Sequence, residues 1–255
     1  MASKRESKVW LEPEEHVYIH KDTEVKYKSV TTVLSLLEPH FDTEGVARAI
    51  SLQSDEDKKP EYIGMSKEEI LTEWERINRE ANEYGTEVHE ILERYLLADR
   101  IYIPQSDYEK EIITKFQKID PMTTGVVYPE TILFSEKHSL AGTADIIEDC
   151  GNHFNVWDFK TNKKLNYISQ YGQWLKKPVS HLSDCQFNVY ALQMSIYAYM
   201  FQMETRKKVG RMALFYLNPE KDYEFEVIPV NYMGYEAKKV LDFWLEKQEK
   251  DGKKV

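Results

Sequence analysis

The stretch AGTADIIEDCGNHFNVWDFKTNKK, residues Ala141–Lys164, decides the fold prediction for this chain of 255 residues. Two apolar runs flank a turn at residues 149–152, and this pattern predicts a β-hairpin. Each run carries an acid, Asp145 in the first and Asp158 in the second, where a core residue is expected. The charges at these positions need a chemical explanation.

The second run places a lysine on the same side as its acid. Residues two apart in a strand share a face, so Phe154, Val156, Asp158 and Lys160 are expected to point the same way. The preceding strand brings Asp145 alongside. Two neighbouring carboxylates repel each other unless a cation lies between them, and a hard cation such as Mg²⁺ binds carboxylate and carbonyl oxygens. The pattern therefore predicts a metal site with a lysine beside it.

The alternative is a solvent-facing hairpin end that carries scattered charge. The residues around the acids favour a buried sheet instead. Gly142 and Ala144 are small, as is required where a helix or a substrate backbone approaches a strand closely. The apolar runs TILFS, ADII and FNVW place the charges at the ends of buried strands.

Composition excludes several classes of protein. The chain has 42% hydrophobic and 31% charged residues, as soluble globular proteins do, and a net charge of -10. A protein that coats nucleic acid non-specifically needs an excess of Lys and Arg. A nuclease remains compatible, because a local basic groove and bound metal ions attract a phosphate backbone. The two cysteines, Cys150 and Cys185, form no disulfide framework and cannot supply the four thiolates of an iron–sulfur cluster.

The first half of the chain is predicted to be mainly helical. Residues 8–30 alternate as a β-hairpin with its turn near Lys21–Thr23. Ser66 and Glu69 form a capping-box signature that opens a long helix through Gly85, the expected kink or closure point. The other predicted helices are one that Pro39 ends, one that begins at Asp42 and one over residues 106–119.

The second half changes to the period of strands. Strands are predicted over residues 126–138, 139–149 and 153–161, followed by a polar loop over 162–183. A helix over 183–202, a hairpin over 211–230 turned at Asn218–Asp222, and a helix from about Tyr232 complete the chain. This order predicts one α/β domain with an N-terminal helical elaboration.

Four short motifs resemble those of the PD-(D/E)XK nuclease superfamily, and of its RecB-type branch in particular. That branch carries G-x-x-x-H on a helix, G-x-x-D and D/E-x-K on strands, and Q-x-x-x-Y on a second helix. The chain has all four in this order, in YGTEVHEILE, GTAD, VWDFKTNKK and QFNVY. The set extends from Gly85 to Tyr190, and the layout is similar to phage-type and mitochondrial genome-maintenance exonucleases.

The resemblance implies a role for each matched residue. Asp145 and Asp158 would be metal ligands, with the carbonyl of Phe159 and the ring of His89 as further ligands. Lys160 would be the catalytic lysine beside the attacking water. The expected cofactor is one or two Mg²⁺ or Mn²⁺ ions, with no iron–sulfur cluster.

The Q-x-x-x-Y helix and the loop before it are expected to contact substrate. By the resemblance, Gln186 and Tyr190 would contact phosphate or support the lysine; read alone, they are a helix face on the sheet. The loop 165–178 carries three aromatic residues with two lysines just before it and two near its end, a combination suited to single-stranded nucleic acid. Lys163 and Trp174 are candidate contacts there, and a surface loop with tucked aromatic rings is the alternative.

Two further residues have open readings. His89 lies beside the apolar stripe of its helix, where a core histidine is the alternative to a ligand. Glu130 opens the first strand of the core, where nucleases of the resembled family often have an acid; it is interpreted as an edge-strand charge, and a supporting position behind the site is the alternative.

The expected architecture is a restriction-endonuclease-like mixed central sheet flanked by helices, with an αβββαβ core. A single domain over residues 1–255 is predicted, with the N-terminal hairpin and helices in 1–84 and the nuclease core in 85–255. The N-terminus has no apolar h-region, so no signal peptide is expected. The most apolar segment is too short to span a membrane. A cytoplasmic location follows, and the resemblance adds the expectation of a phage gene in a bacterial host.

The expected function is metal-dependent hydrolysis of DNA phosphodiester bonds, by an exonuclease acting on single strands or duplex ends. The expected partners are DNA and a protein of replication, recombination or repair. Two alternatives stay open: a non-catalytic nucleic-acid-binding or protein-interaction member of the fold, and an RNA-directed nuclease. The intact acids and lysine argue against the first, and no residue type in the sequence decides the second.

Overall fold

The structure is a computed structural model, and it describes residues 5–15, 17–122, 125–221 and 224–252. The strands are β1 (Val9–Glu12), β2 (Val17–His20), β3 (Lys26–Ser29), β4 (Val126–Ser135), β5 (Leu140–Asp149), β6 (His153–Lys160), β7 (Lys208–Leu217) and β8 (Phe225–Pro229). The helices are α1 (Val30–Ser35), α2 (Thr43–Ser51), α3 (Lys67–Leu97), α4 (Asp107–Gln117), α5 (Gln186–Thr205) and α6 (Gly234–Gly252).

The strands form one mixed sheet in the order β1-β2-β3-β5-β6-β7-β8, and β4 also pairs with β5. β3 with β5 and β6 with β7 are parallel, and the other pairs are antiparallel. A parallel pair needs a crossover connection, and α5 supplies it between β6 and β7. The mixed central sheet flanked by helices is the predicted fold class, and it is confirmed.

One face of the sheet packs against α5 and α6. Phe154 and Val156 of β6 point into this core, where the Phe154 and Phe201 rings lie 4.6 Å apart. α5 has apolar residues on nearly all sides because it lies between the sheet and α6. At Gly142 of β5, a Cβ atom would lie 2.6 Å from Cε1 of Tyr197. The small residue predicted at this position therefore permits the close approach of α5.

The other face is covered by aromatic packing from α4. The ring of Phe116 lies 5.2 to 5.7 Å from the rings of Phe159, Phe215 and Phe225 in edge-on geometry. Trp157 stacks on Phe215 at 5.3 Å. Aromatic pairs of this kind add about 0.5–1.5 kcal/mol each beyond the area that they bury. The alternation along β6 therefore gives the strand two buried faces, and this anchors the end that carries Asp158.

The N-terminal strands differ from the prediction. Residues 8–30 form three strands rather than one hairpin, with the predicted turn at Lys21–Thr23 lying between β2 and β3. Val9, Tyr18 and Tyr27 form a second small core with Ala141 of β5. The extra pairing arises because β1 also alternates, and a two-stranded ribbon alone would bury too little surface.

Most predicted helices are observed with shifted ends. α1 ends at Ser35, four residues before Pro39, with Leu36 as its C-cap. Asp42 caps α2 by accepting from the Gly45 amide at 2.9 Å, as predicted. The predicted turn at Asn218–Asp222 lies partly outside the described residues. No helix among the described residues is both long and apolar enough to cross a membrane.

Contacts divide the chain into two compact units, residues 1–39 with 88–255, and residues 40–87. Within the smaller unit, the Ser66 and Glu69 capping box forms as predicted, with both reciprocal backbone bonds present. Trp74 Nε1 donates to the Tyr62 hydroxyl at 2.9 Å in the same unit. The strands β1–β3 belong to the larger unit, not with the helices of residues 40–87. The single domain over 1–255 stays a prediction.

Candidate active site

The site begins at a gap in the pairing of β5. On one side, β5 pairs with β3 at Leu140 and Ala141, and with β6 from Ile146 onward. Within the described chain, no strand pairs with β5 on that side between Gly142 and Asp145. The backbone of β5 around Asp145 therefore has no strand partner on that side among the described residues.

Asp145 closes the β5–β6 ladder with its side chain. The last backbone pair is Ile146 with Trp157, and Asp145 lies one register position beyond it, across from Asp158. Its Oδ2 atom accepts a hydrogen bond from the Phe159 amide at 2.8 Å. The carboxylate thus satisfies a backbone N–H where the ladder has stopped, and this fixes the orientation of the carboxylate.

Glu130 of β4 lies across from Asp145 on the other side of β5. The β4–β5 register pairs Pro129 with Ile146 and Thr131 with Ala144, so Glu130 and Asp145 occupy facing positions. Glu130 has a φ of 44°, a left-handed conformation that is strained for a residue with a Cβ atom. The local distortion of β4 occurs at the residue that faces the predicted metal ligand.

His89 completes a group of three. One ligand atom each of His89, Glu130 and Asp145 lies within 4.8 Å of the other two. His89 Nδ1 is 3.5 Å from Asp145 Oδ2, and its ring contacts the Phe159 ring edge-on at 5.6 Å. The histidine that the sequence leaves open between core and ligand is only partly buried and faces the carboxylates.

Asp158 and Lys160 form a buried ion pair beside this group. Lys160 Nζ contacts Asp158 Oδ2, and the side chains are 17% and 3% exposed. Burial raises the pKa of Asp158, and the charge of Asp145 adds to this while Lys160 opposes it. Burial lowers the pKa of Lys160, but Asp158 and Asp145 outweigh it and hold the pKa above its ordinary value. The lysine is therefore a fixed positive charge at the site.

Tyr190 of α5 lies next to this pair, and Gln186 lies one turn before it on the same helix. Lys160 Nζ lies over the Tyr190 ring, 4.8 Å from its centroid, a cation–π contact that holds the ammonium in place. Gln186 Oε1 accepts from the Asn166 amide at 3.0 Å and so holds the loop after β6. The structure brings Tyr190 to the lysine and Gln186 to a pocket that Tyr190 also lines. Their roles toward substrate stay predictions.

Of the remaining predicted site residues, Phe159 contacts an acid, and Lys163 and Trp174 lie apart from the acids. The Phe159 amide bonds to Asp145 and its ring is in the core, while the ligand role of its carbonyl stays a prediction. Lys163 Nζ lies 3.3 Å from Glu220 Oε1, and both side chains are exposed. Trp174 is exposed and pairs by a backbone bridge with Ser183. Lys163 and Trp174 are on the loop after β6, not in the acidic group.

The residues present fit a hard divalent cation. The donor set is one imidazole nitrogen and two carboxylates, with the buried carboxylate of Asp158 across from Asp145 on the next strand. Ligand atoms on opposite sides of Mg²⁺ are about 4.2 Å apart, since each bond is about 2.1 Å long. The ligand atoms of the three residues lie within 4.8 Å of one another, a limit close to this spacing, so modest side-chain movements would place all three around one ion. His89, Glu130 and Asp145 could therefore hold such an ion.

Sequence reasoning missed the place of Glu130. It was interpreted as an edge-strand charge, but β4 is long and Glu130 lies in its middle, facing the site. The signal that finds it is the register: the chain reverses around Glu136–His138, and counting back from that turn sets Glu130 against Asp145. Asp158, predicted as a ligand, is not one of the three grouped residues and contacts Lys160 instead.

Comparison with known proteins adds little. No family model and no curated protein sequence matches the chain. A solved structure from Eubacterium rectale, provisionally described as an exonuclease, is 11% identical with a TM-score of 0.40, over 65% of each chain. The structure of SSO0001 is 17% identical with a TM-score of 0.27, over 66% of this chain and 70% of that one. The chain thus spans just under two thirds of the first of these, and likenesses this weak carry no argument about function.

Proposed function

We propose that the chain is a metal-dependent nuclease that hydrolyses DNA phosphodiester bonds. The observation that carries the proposal is the position of two groups side by side. His89, Glu130 and Asp145 lie together at the gap in the β5 pairing, and the buried Asp158–Lys160 pair lies next to them. The order of the four sequence motifs supports the same function.

The charge balance of the site supports a bound cation. Three carboxylates, those of Glu130, Asp145 and Asp158, face one lysine and one imidazole. Carboxylates at this spacing repel each other, and a divalent cation removes the repulsion. We propose Mg²⁺ or Mn²⁺, held by His89, Glu130 and Asp145 with Asp158 alongside. Such an ion supplies positive charge that activates water and stabilises the leaving oxygen.

Lys160 has the properties of a residue that positions the reacting groups. Asp158 on one side and the Tyr190 ring on the other fix its ammonium group. From there it would donate hydrogen bonds to a phosphate oxygen and orient the water that attacks phosphorus. The water oxygen forms a bond to phosphorus as the bond to the 3′ oxygen breaks. The products are a 5′ phosphate and a 3′ hydroxyl.

The surface beside the site suits a single strand. Tyr167, Ile168, Tyr171 and Trp174 are exposed on the loop after β6. Aromatic faces stack on unpaired bases at about 1–3 kcal/mol each, and Lys163 on the same loop would track the backbone. We propose an exonuclease acting on single strands or duplex ends. The net charge of -10 leaves this binding dependent on metal and sensitive to salt.

The test is cleavage of end-labelled DNA, resolved on a gel. Single-stranded DNA, duplex DNA and single-stranded RNA of one sequence are incubated with Mg²⁺, Mn²⁺ or EDTA. We expect cleavage of DNA with either metal and no cleavage in EDTA. The sizes of the labelled products separate exonuclease from endonuclease action. Asp158→Ala is the variant control and is expected to be inactive. Cleavage in EDTA, or equal cleavage by this variant, would reject the proposed site.

A further inference from the structure

A pocket of about 510 Å³ lies beside the Lys160 end of the candidate site. Its walls come from Glu38 after α1, from Ile168 and Tyr171 in the loop after β6, and from Asp184 and Tyr190 at the start of α5. A pocket of this size is within the ~300–1,000 Å³ of ordinary small-molecule sites. All of these walls belong to the larger compact unit.

The pocket shares one wall with the candidate active site. Tyr190 lines the pocket, and Lys160 Nζ lies 4.8 Å from the centroid of the same ring. A group in the pocket is therefore separated from the lysine by little more than one aromatic side chain. If a phosphate contacts Lys160, the pocket is placed to receive the base of an adjoining nucleotide.

The charge of the pocket excludes a phosphate as its occupant. Glu38 and Asp184 both line it, and no lysine or arginine in the described part of the chain does so. Burial raises the pKa of both carboxyl groups; the charge of Asp184 adds to the shift at Glu38, and Lys176 opposes it. Two acids in one pocket repel a phosphate and accept hydrogen bonds from N–H donors.

The rest of the lining suits a flat, partly apolar group. The side chains of Ile168 and Tyr171 are 74% and 68% exposed, so the pocket has apolar surface at its open side. A nucleobase offers flat apolar faces together with polar edges. A contiguous exposed apolar patch with polar residues at its rim is typical of a binding surface.

We propose that this pocket binds one unpaired nucleobase that carries an exocyclic amino group, next to the phosphate held at Lys160. The inference rests on the proposed function and names its base preference. Acidic side chains accept hydrogen bonds from the N4 amino group of cytosine. Adenine and guanine carry amino groups as well, but thymine presents carbonyl oxygens, which face the carboxylates unfavourably. Glu38 and Asp184 are the residues that set this preference.

The test measures binding and cleavage with the same probes. Fluorescein-labelled oligo-dC and oligo-dT of equal length are titrated with the full chain in Ca²⁺, which supplies the divalent cation in place of Mg²⁺, and their cleavage rates are measured in Mg²⁺. The dC-to-dT affinity ratio is expected to be at least about fivefold in wild type. The ratio is expected to fall towards one in the double variant that carries both Glu38→Gln and Asp184→Asn. It is expected to stay unchanged in Glu249→Gln, which replaces an exposed acid on α6.

The two proposals fail in different ways. Equal affinity for both oligonucleotides in wild type, a ratio that persists in the double variant, or no binding of either would overturn the base pocket. Metal-dependent cleavage of both at equal rates would leave the nuclease proposal standing. Absence of cleavage with a base-dependent affinity would reject the nuclease and keep the pocket. Tyr171→Ala, which removes an apolar wall without changing charge, is expected to weaken binding of both oligonucleotides.

Discussion

Glu130 faces Asp145 across the β4–β5 ladder, and an oxygen of each carboxylate lies within 4.8 Å of a ring nitrogen of His89. Like charges directly opposite each other on neighbouring strands destabilise a sheet. A left-handed φ of 44° at Glu130 adds backbone strain at the same position. Strain and repulsion in one place are typical of a functional site rather than of a structural one.

Because Glu130 and Asp145 face each other, we expect neutralisation of Glu130 to stabilise the chain without metal and to abolish its stabilisation by metal. Glu130→Gln removes the repulsion, so we expect its unfolding free energy in EDTA to rise by about 0.2–1 kcal/mol. The same change removes a ligand, so we expect Mn²⁺ to raise the unfolding midpoint of wild type but not of the variant. Thermal unfolding with and without Mn²⁺ measures both. Equal stabilisation of wild type and Glu130→Gln by Mn²⁺ would show that Glu130 does not bind the ion. Glu249→Gln serves as the control variant.

The Asp158–Lys160 pair predicts strong thermodynamic coupling. Lys160→Met leaves a buried carboxylate without its opposite charge, which costs about 3–5 kcal/mol of unfolding free energy. Asp158→Asn in that background removes the charge, and we expect it to recover most of the loss. Urea unfolding of wild type, both single variants and the double variant gives the coupling energy. Additive effects of the two substitutions would show that the pair is not coupled.

Gly142 predicts a packing defect that is independent of chemistry. A Cβ atom there would lie 2.6 Å from Tyr197 Cε1, so Gly142→Ala forces the buried Tyr197 ring to shift. We expect a loss of about 1–3 kcal/mol in unfolding free energy. Gly252→Ala is the matched control, because nothing lies within 4 Å of that position. An unchanged free energy for Gly142→Ala would contradict the close packing, and Tyr197→Leu in the same background should recover part of the loss.

His138 predicts a loss of stability in mildly acidic solution. Burial lowers its pKa, Lys137 and Lys238 add to this, and Asp242 opposes it. The unfolded chain then binds the proton at higher pH than the folded state. The unfolding free energy is therefore retained above about pH 6.5 and falls as pH decreases through the folded pKa. His138→Asn lacks this pH-dependent part of the unfolding free energy. The difference between the urea midpoints of wild type and the variant should therefore shrink below pH 6.5. A difference that stays constant with pH would contradict the assignment to His138.

Local patterns account for the side chains that the structure places where the sequence predicts them. The alternation in β6 places Asp158 and Lys160 on one face because strand periodicity is a property of adjacent residues. The capping box at Ser66 is equally local, since its two bonds join residues three apart. Tyr190 reaches Lys160 as the ordered motifs imply, by the packing of α5 on the sheet.

Long-range register accounts for what the sequence misses. Glu130 meets Asp145 only because the turn around Glu136–His138 fixes which residues of β4 and β5 face each other. The pocket acids Glu38 and Asp184 come from distant parts of the chain, and no spacing rule connects them. The three N-terminal strands likewise depend on pairing between β3 and the start of β5.

The most direct measurement is the rate of DNA cleavage by Asp145→Asn, in Mg²⁺, beside that of wild type. Asparagine keeps an oxygen that can accept from the Phe159 amide, so the unfolding midpoint in EDTA should be close to that of wild type. We expect the cleavage rate to fall by roughly 10²-fold or more because charge at the reacting phosphate is no longer stabilised. A folded variant that cleaves DNA as fast as wild type would contradict the assignment of this site.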